Sequence, residues 1–221
     1  MTDPTPSFSP SPFSRYLAVR DRIQPGDIIT FSGLDLPSTV VKVATQSSYV
    51  HVAIVFSVES NHENQPDPIL IAESHIDASL PSVGTGKHTL GVQLQWLHNR
   101  LSSAKGPVWW APLQTPLTGE KIHTLQTWLW DVESQGTPYD FVQAVGAGID
   151  AGDRLGLENT PDESAFFCSE LVTCALQKVG VISDQINSSE QTPADLMTFS
   201  CFQKSVLIHN DTNRNTGNSK A

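Results

Sequence analysis

The stretch "FFCSELVTCALQKVG", residues 166–180, places a cysteine where an apolar pattern with helical spacing begins. The apolar positions of this pattern are Leu171, Val172, Ala175, Leu176 and Val179. Their spacing predicts a helix that begins close to Cys168 and buries one face. The first turn of a helix carries unpaired backbone N–H groups and the positive end of the helix dipole, so it favours a thiolate. Cys168 is therefore either a nucleophile or a packed core residue, since free cysteines are among the most buried residue types.

The composition restricts the class of protein. The 221 residues include 13 Lys and Arg against 23 Asp and Glu, which gives a formal net charge of −10 and a pI near 5.0. Nucleic-acid binders usually carry basic patches, and anionic lipid surfaces also select cationic proteins. We therefore expect no nucleic-acid partner and no simple electrostatic docking on a membrane.

Neither a targeting segment nor a disulfide framework is expected. The opening "MTDPTPSFSPSPFSRY" lacks the charged and apolar regions of a secretory signal, and no window approaches 18 uninterrupted apolar residues. The three cysteines, Cys168, Cys174 and Cys201, have no regular spacing. Cys174 lies about 240° around the helix from Cys168 and so is not its resolving partner. These features predict a cytoplasmic protein without an integral membrane segment, and they leave the oligomeric state open.

The sequence indicates one domain between two irregular ends. Residues 1–14 are rich in Pro and Ser and are predicted to be disordered. Residues 206–221 are predicted to form a polar, flexible tail. The intervening residues 15–205 are long enough to bury one core and are predicted to form a single domain.

Alternating and helical patterns within this domain predict an α+β fold. Strands are expected shortly after the Pro25–Gly26 turn and over residues 51–58, 68–77, 91–95 and 107–112. Helices are expected around residues 40–44, after a Thr118 N-cap, over 138–150 and from Cys168, with a loop over 151–165. The pattern indicates a central antiparallel sheet with helices packed against it.

A nucleophilic cysteine needs a base, and His51 is a candidate because the imidazole pKa lies near working pH. A lone histidine at the start of an apolar strand is more often structural. On the next predicted strand, period-two alternation places Glu73, His75 and Asp77 on one face. A carboxylate beside the base can orient its imidazole, as the third member of a triad does.

The three polar side chains on that strand face also support a competing interpretation. At i, i+2 and i+4 they could hold a metal ion, with help from His62, His88 or His98. A solvated strand end would produce the same alternation. The metal-dependent hydrolase is the weaker of these hypotheses, and no metal or other cofactor is expected.

Three stretches together resemble one family: "PGDIITF", "SSYVHVAIV" with "AES" after it, and "FCSELV" late in the chain. They look like the permuted papain-like amidases, the YiiX-like branch of the NlpC-like cysteine hydrolase superfamily. In ordinary members of that superfamily the cysteine helix precedes the histidine strand. In the permuted branch the order is His, acidic residue and Cys, as in this sequence. "GTPYDF" (136–141) and "TPADL" (192–196) resemble two further elements, so that the resemblance spans residues 25–198.

The resemblance implies a circularly permuted papain-like/NlpC-like fold, in which an antiparallel sheet packs against helices and the nucleophile stands at a helix N-terminus. It implies Cys168 as nucleophile, His51 as general base and Glu73 as the orienting residue. His75 is the alternative third residue because it lies on the same strand face as Glu73. Tyr139 looks like the family's substrate-binding tyrosine, and simple packing against the sheet is its other explanation.

The function implied by the resemblance is that of a cysteine-dependent hydrolase of the amidase or peptidase type. It would act on an amide, ester or thioester through an acyl-enzyme, and it would become an acyltransferase where an amine or alcohol replaces water. The expected substrate is a small molecule, a peptide or an acyl lipid. The alternative is a catalytically inactive module that keeps the fold as a binding surface.

Overall fold

A six-stranded antiparallel sheet organises the chain. The computed structural model describes residues 13–33, 47–59, 69–138 and 167–210. The strands are β1 (Ile28–Phe31), β2 (His51–Val58), β3 (Ile69–His75), β4 (Gly91–Trp96), β5 (Val108–Ala111) and β6 (Val206–His209). They lie in the order β4-β3-β2-β1-β5-β6 with antiparallel pairing throughout. The predicted α+β class and its central antiparallel sheet are confirmed.

Five α-helices accompany the sheet in the described part of the chain. They are α1 (Ser14–Leu17), α2 (Leu97–Ser103), α3 (Gly119–Ser134), α4 (Cys168–Lys178) and α5 (Pro193–Leu196). The predicted N-cap of α3 is confirmed, because the Thr118 side chain accepts a hydrogen bond from the backbone N–H of Lys121. The predicted start of α4 at the cysteine is confirmed as well. None of the described helices is both long and apolar enough to cross a membrane.

Both faces of the sheet are buried, which explains why its strands are apolar on both sides. One core lies between the sheet and helices α3 and α4 and includes Ile54, Ala72 and Leu171. The other lies on the opposite face, under α2 and α1, and includes Ile71 and Leu101. A polar side chain in the middle of such a sheet loses its water, so it requires partners within the protein.

Strand register brings the candidate site residues to one end of the sheet. His51, the first residue of β2, lies opposite Phe31 at the end of β1. His75, the last residue of β3, lies opposite Gly91 at the start of β4. Gly91 has φ 142°, and a Cβ there would lie 2.2 Å from the carbonyl oxygen of Thr137, so this position requires glycine.

The predicted tail differs from the structure at its start. Residues 206–209 were expected to be flexible, but they form β6, which pairs with β5 at the edge of the sheet. Ile208 is fully buried on the face covered by α1, and that burial supplies the reason why the strand forms. The predicted helices around 40–44 and over 138–150 lie outside the described residues, as does the predicted loop over 151–165.

Candidate active site

Cys168 is the first residue of α4 and is buried against the sheet. Its side chain belongs to the core between the sheet and α4, and the residue is 4% exposed. The preceding residue, Phe167, provides no side-chain cap for the helix. The N-cap side chain therefore does not occupy the backbone N–H groups of the first turn, the turn to which Cys168 belongs.

His51 is the residue that joins Cys168 to the rest of the cluster. Its Nε2 atom lies 2.7 Å from Oε2 of Glu73, and the side chain of Cys168 lies close enough to its imidazole to raise the pKa of His51. Because Nε2 is engaged by Glu73, Nδ1 is the nitrogen left for the sulfur. The ring lies between two others: Phe31, at a centroid distance of 5.4 Å, and His75, edge-on at 4.5 Å. These contacts restrict the rotation of the imidazole.

Glu73 lies in the middle of a buried strand pair and is ionised by its surroundings. The residue is fully buried, and its Oε1 atom accepts a hydrogen bond from Nε of Arg100. Burial alone would raise the pKa of this carboxyl group. The positive charge of Arg100 and the hydrogen bond to His51 outweigh burial and hold the pKa of Glu73 far below its usual range.

The electrostatics of the cluster favour a protonated His51. Burial disfavours the imidazolium and by itself lowers the pKa of His51. The hydrogen bonds and negative charges of Cys168 and Glu73 act in the opposite direction and raise that pKa to about 9. A carboxylate and an imidazolium therefore stand beside the sulfur of Cys168.

His75 is kept neutral and does not take the third position beside the base. Burial and the nearby charges of His51 and Arg100 lower its pKa to about 3, although Glu73 and Asp77 oppose the shift. Its Nδ1 atom accepts a hydrogen bond of 2.8 Å from the backbone N–H of Asp77. The structure thus pairs His51 with Glu73, whereas His75 contacts the imidazole through its ring.

The metal interpretation can be tested on the same residues. Within the described residues, His51, Glu73 and His75 place ligand atoms within 4.8 Å of one another. Asp77, which the sequence suggested as a ligand, is not in this group; its Oδ2 accepts from Arg100 Nη1 at 3.3 Å. His88 and His98 do not belong to the group either, and His62 lies outside the described residues.

These three residues are a poor fit to a metal ion in the arrangement that the structure shows. A histidine that binds a metal normally donates the N–H of its other nitrogen, but His75 Nδ1 accepts one, which leaves the proton on Nε2. Both oxygens of Glu73 already have partners, Arg100 on Oε1 and His51 on Oε2. Metal binding would have to break the His51–Glu73 hydrogen bond.

An open pocket borders the cluster on the side of the sheet that α2 covers. Its volume is about 280 Å³, and it is lined by the polar groups of the cluster together with the ends of β1 and α2. Cys168 does not line this pocket. Its apolar wall includes Phe31, Val50 and Val108.

The sequence analysis missed Arg100, although a signal for it was present. In "WLHNRLSSA" the residues Leu97, Arg100, Leu101 and Ala104 follow i, i+3, i+4 and i+7, so the arginine belongs to the apolar face of its helix. A charge on such a face has to be paired. The structure buries Arg100 to 6% exposure and pairs it with Glu73 and Asp77. Tyr139 lies outside the described residues.

No known protein-family model matches this sequence, and no curated protein matches it. Among solved structures, the chain is similar to the metalloprotein YiiX (DUF1105) from Escherichia coli O157:H7. The two share 19% sequence identity, the match covers 84% of this chain and 88% of that chain, and the TM-score is 0.46. The description as a metalloprotein applies to that protein.

Proposed function

We propose that this protein is a cysteine-dependent acyl hydrolase with Cys168 as nucleophile, His51 as general base and Glu73 as the orienting residue. One observation carries the proposal. His51 is hydrogen-bonded to a fully buried carboxylate and has Cys168, the first residue of α4, close enough to its imidazole to raise its pKa. Such a bridge explains why a polar carboxylate is retained in the middle of a buried strand.

The reaction begins with a thiolate–imidazolium pair. The Cys168 sulfur attacks the carbonyl carbon of an amide, ester or thioester, and the electron pair of the C=O bond moves to oxygen. The backbone N–H groups at the start of α4 stabilise that oxyanion, and in measured cases one such donor contributes about 3 to 4 kcal/mol. His51 then gives its proton to the leaving amine, alcohol or thiol as the carbon–heteroatom bond breaks.

The acyl-enzyme is then released by a second substrate. Water, deprotonated by neutral His51, attacks the thioester carbon; the C–S bond breaks, and the Cys168 thiolate and the protonated imidazole are restored. An amine or alcohol in place of water makes the same site an acyltransferase. Substrates of this chemistry include acylated small molecules, peptides and acyl lipids.

The test is the rate at which iodoacetamide alkylates each cysteine between pH 4 and 10, mapped by mass spectrometry. The chain supplies two internal controls: Cys174, which is buried in the core, reports unfolding, and half-buried Cys201, whose pKa is raised by burial, reports a thiol that is not activated. We expect Cys168 to react well below the pH at which a free thiol of pKa about 8.5 becomes reactive. His51→Ala should remove this advantage while Cys174 stays protected.

Two results would reject the mechanism. If Cys168 follows the pH dependence of Cys201 in both proteins, it is a packed core residue, and the binding module becomes the better hypothesis. If Cys168→Ala retains hydrolysis of a p-nitrophenyl ester at the original rate, the nucleophile lies elsewhere.

A second candidate, a metal-dependent hydrolase, is favoured only by the grouping of His51, Glu73 and His75. Elemental analysis of the purified protein, with and without added Zn²⁺, distinguishes the two. The cysteine mechanism predicts that a chelator leaves turnover intact and that excess Zn²⁺ inhibits, because the ion would compete for the imidazole. Loss of turnover on chelation and its return with Zn²⁺ would favour the metal site.

A further inference from the structure

We infer that Arg100 is a positioning residue of this site, acting on His51 only through Glu73. The inference rests on the proposed function and extends it from three residues to a chain of five side chains: Asp77, Arg100, Glu73, His51 and Cys168. Ion pairs join the first four in turn, and Cys168 is close enough to His51 to raise its pKa.

The orientation of the Glu73 carboxylate depends on which nitrogen of Arg100 donates a hydrogen bond to it. Arg100 Nε donates to Oε1, which leaves Oε2 as the oxygen for His51 Nε2 at 2.7 Å. The two oxygens of one planar carboxylate are thereby assigned to different partners. Rotation of the Glu73 carboxylate would lose both hydrogen bonds, so the arginine fixes the direction from which the imidazole is held.

The charge of Arg100 is as important as its geometry. Glu73 is fully buried and Arg100 has only 7% of its side chain exposed, so neither ion is well solvated. A carboxyl group buried to this extent without a cation takes up a proton. A protonated Glu73 could no longer stabilise an imidazolium on His51.

Asp77 fixes the other end of the arginine. Its Oδ2 atom accepts from Arg100 Nη1 at 3.3 Å, and its Oδ1 atom accepts from the backbone N–H of Ser79 at 2.8 Å. The aspartate is thus held by its own turn while it holds the guanidinium. Lysine could not reproduce these contacts, because it lacks the planar fork that reaches two carboxylates from different nitrogens.

A double-mutant cycle on the alkylation rate of Cys168 tests the inference. The variants are Arg100→Met, Glu73→Gln and the two together, with Lys87→Met as a control that removes an exposed positive charge outside the chain of contacts. We expect each single change to slow the alkylation of Cys168 by about tenfold or more. Residues that act as a unit have non-additive effects, so the second change should add little to the first. Adding Arg100→Met to Glu73→Gln should change the rate by less than about twofold. Lys87→Met should leave it unchanged.

Chemical rescue separates positioning from simple structural support. In Arg100→Ala, low millimolar guanidinium should restore much of the Cys168 rate, whereas urea at the same concentration should not. In Glu73→Gln/Arg100→Ala, guanidinium should restore nothing, because the carboxylate that it would pair with is gone. Protection of Cys174 in every variant shows that the protein is folded.

Several results would overturn the inference. One is a folded Arg100→Met protein in which Cys168 is alkylated at the original rate. Another is a double variant whose alkylation rate falls by the product of the two single-variant reductions. If Arg100→Met unfolds and exposes Cys174, the double variant Glu73→Gln/Arg100→Met is compared with Glu73→Gln alone. A further fall in the alkylation rate of Cys168 in the folded double variant would also overturn the inference.

A readout independent of cysteine reactivity keeps the two proposals separate. The ¹⁵N shifts and the Nε2–H proton of His51, measured by NMR, report its hydrogen bond to Glu73 even if Cys168 proves inert. We expect Arg100→Met to lose that signal and Lys87→Met to keep it. An unchanged His51 spectrum in Arg100→Met contradicts the inference, whereas an inert Cys168 with a changed spectrum contradicts only the proposed function.

Discussion

Two buried carboxyl groups, Asp27 and Glu73, are held by different partners, and their pKa values shift in opposite directions as a result. Asp27 accepts hydrogen bonds from Trp110 Nε1 and from the backbone N–H groups of Gln24 and Leu113. Glu73 has an arginine and a histidine instead. Burial raises the pKa of Asp27 despite its three donors, whereas Arg100, together with the hydrogen bond to His51, holds the pKa of Glu73 far below the usual range.

The comparison shows how far uncharged hydrogen-bond donors can offset the desolvation of a buried carboxylate. Three N–H groups fix the position of Asp27, which joins the start of β1 to β5, but they do not outweigh the loss of water around a charge. A guanidinium in contact does outweigh it. Asp27 therefore has the properties of a structural crosslink, and Glu73 those of a group maintained as an ion.

The largest effect that this contrast predicts is on stability, in Arg100→Met. Removing the guanidinium leaves a fully buried carboxylate with the His51 imidazolium as its remaining charged partner, and breaking a buried pair costs about 3 to 5 kcal/mol. We expect a loss of that order in the free energy of unfolding, measured by urea denaturation at pH 7. Glu73→Gln/Arg100→Met should recover a large part of it. If Arg100→Met loses less than about 1 kcal/mol in free energy of unfolding, the contrast between Asp27 and Glu73 is wrong, because Arg100 would then stabilise Glu73 no more than a neutral hydrogen-bond donor does.

Asp27→Asn tests the other side of the comparison. The amide keeps one acceptor oxygen but turns an NH₂ group toward N–H donors, and an unsatisfied buried donor costs about 1 to 3 kcal/mol. We expect a lower free energy of unfolding by that amount, measured as before. The alkylation rate of Cys168 should not change, because Asp27 makes no contact with the cluster. A slower Cys168 in a folded Asp27→Asn protein would show that the two regions are coupled.

Much of the fold and part of the site could be predicted from the sequence. Periodicity located β2, β3, α3 and α4, because alternation and helical spacing record burial directly. The position of β6 was missed, since four residues before a polar tail carry little pattern of their own. Arg100 was missed for a different reason: helical spacing places it on the apolar face of α2, but its pairing with Glu73 and Asp77 arises from contacts between distant segments, which leave no period in the sequence.

The choice between Glu73 and His75 shows the same limit at a finer scale. Alternation places both side chains on one strand face, and it cannot say which one reaches His51. The structure separates them through the backbone N–H of Asp77, which occupies Nδ1 of His75, and through the arginine that directs Glu73. Neither contact is visible in the spacing of the residues.

A smaller effect is predicted for the free energy of unfolding at acid pH, and the pKa of His75 gives its direction. The pKa of His75 is about 3 in the folded protein against 6.5 for an ordinary histidine, so the unfolded chain binds the proton first as the pH falls. The stability associated with a neutral His75 is therefore complete above pH 6.5 and is lost progressively between about pH 6.5 and 3. Glu73 adds a further loss of stability as the pH falls below 4.5, which is the ordinary pKa of its carboxyl group.

His75→Gln should remove the His75 part of this loss. Urea denaturation at intervals from pH 7 to 5 should give a shallower fall in the free energy of unfolding for the variant than for the original protein. Below pH 4.5 the two curves should become more nearly parallel, because both proteins retain Glu73. Equal slopes between pH 6.5 and 5 would mean that His75 accepts a proton in the folded state and is not excluded from charging by His51 and Arg100.

The smallest predicted effect concerns His51 and reports on the two neighbours that raise its pKa, Cys168 and Glu73. Its pKa of about 9 is raised by Cys168 as well as by Glu73, so Cys168→Ala should lower the pKa while leaving His51 protonated through the Glu73 contact. The sign for stability follows: protonation of His51 stabilises the fold fully below pH 6.5, and that contribution is lost as the pH rises through 9. In Cys168→Ala the loss should begin at lower pH. An NMR titration of the His51 ring in both proteins measures the shift, and an identical midpoint would mean that the sulfur carries no charge next to the imidazole.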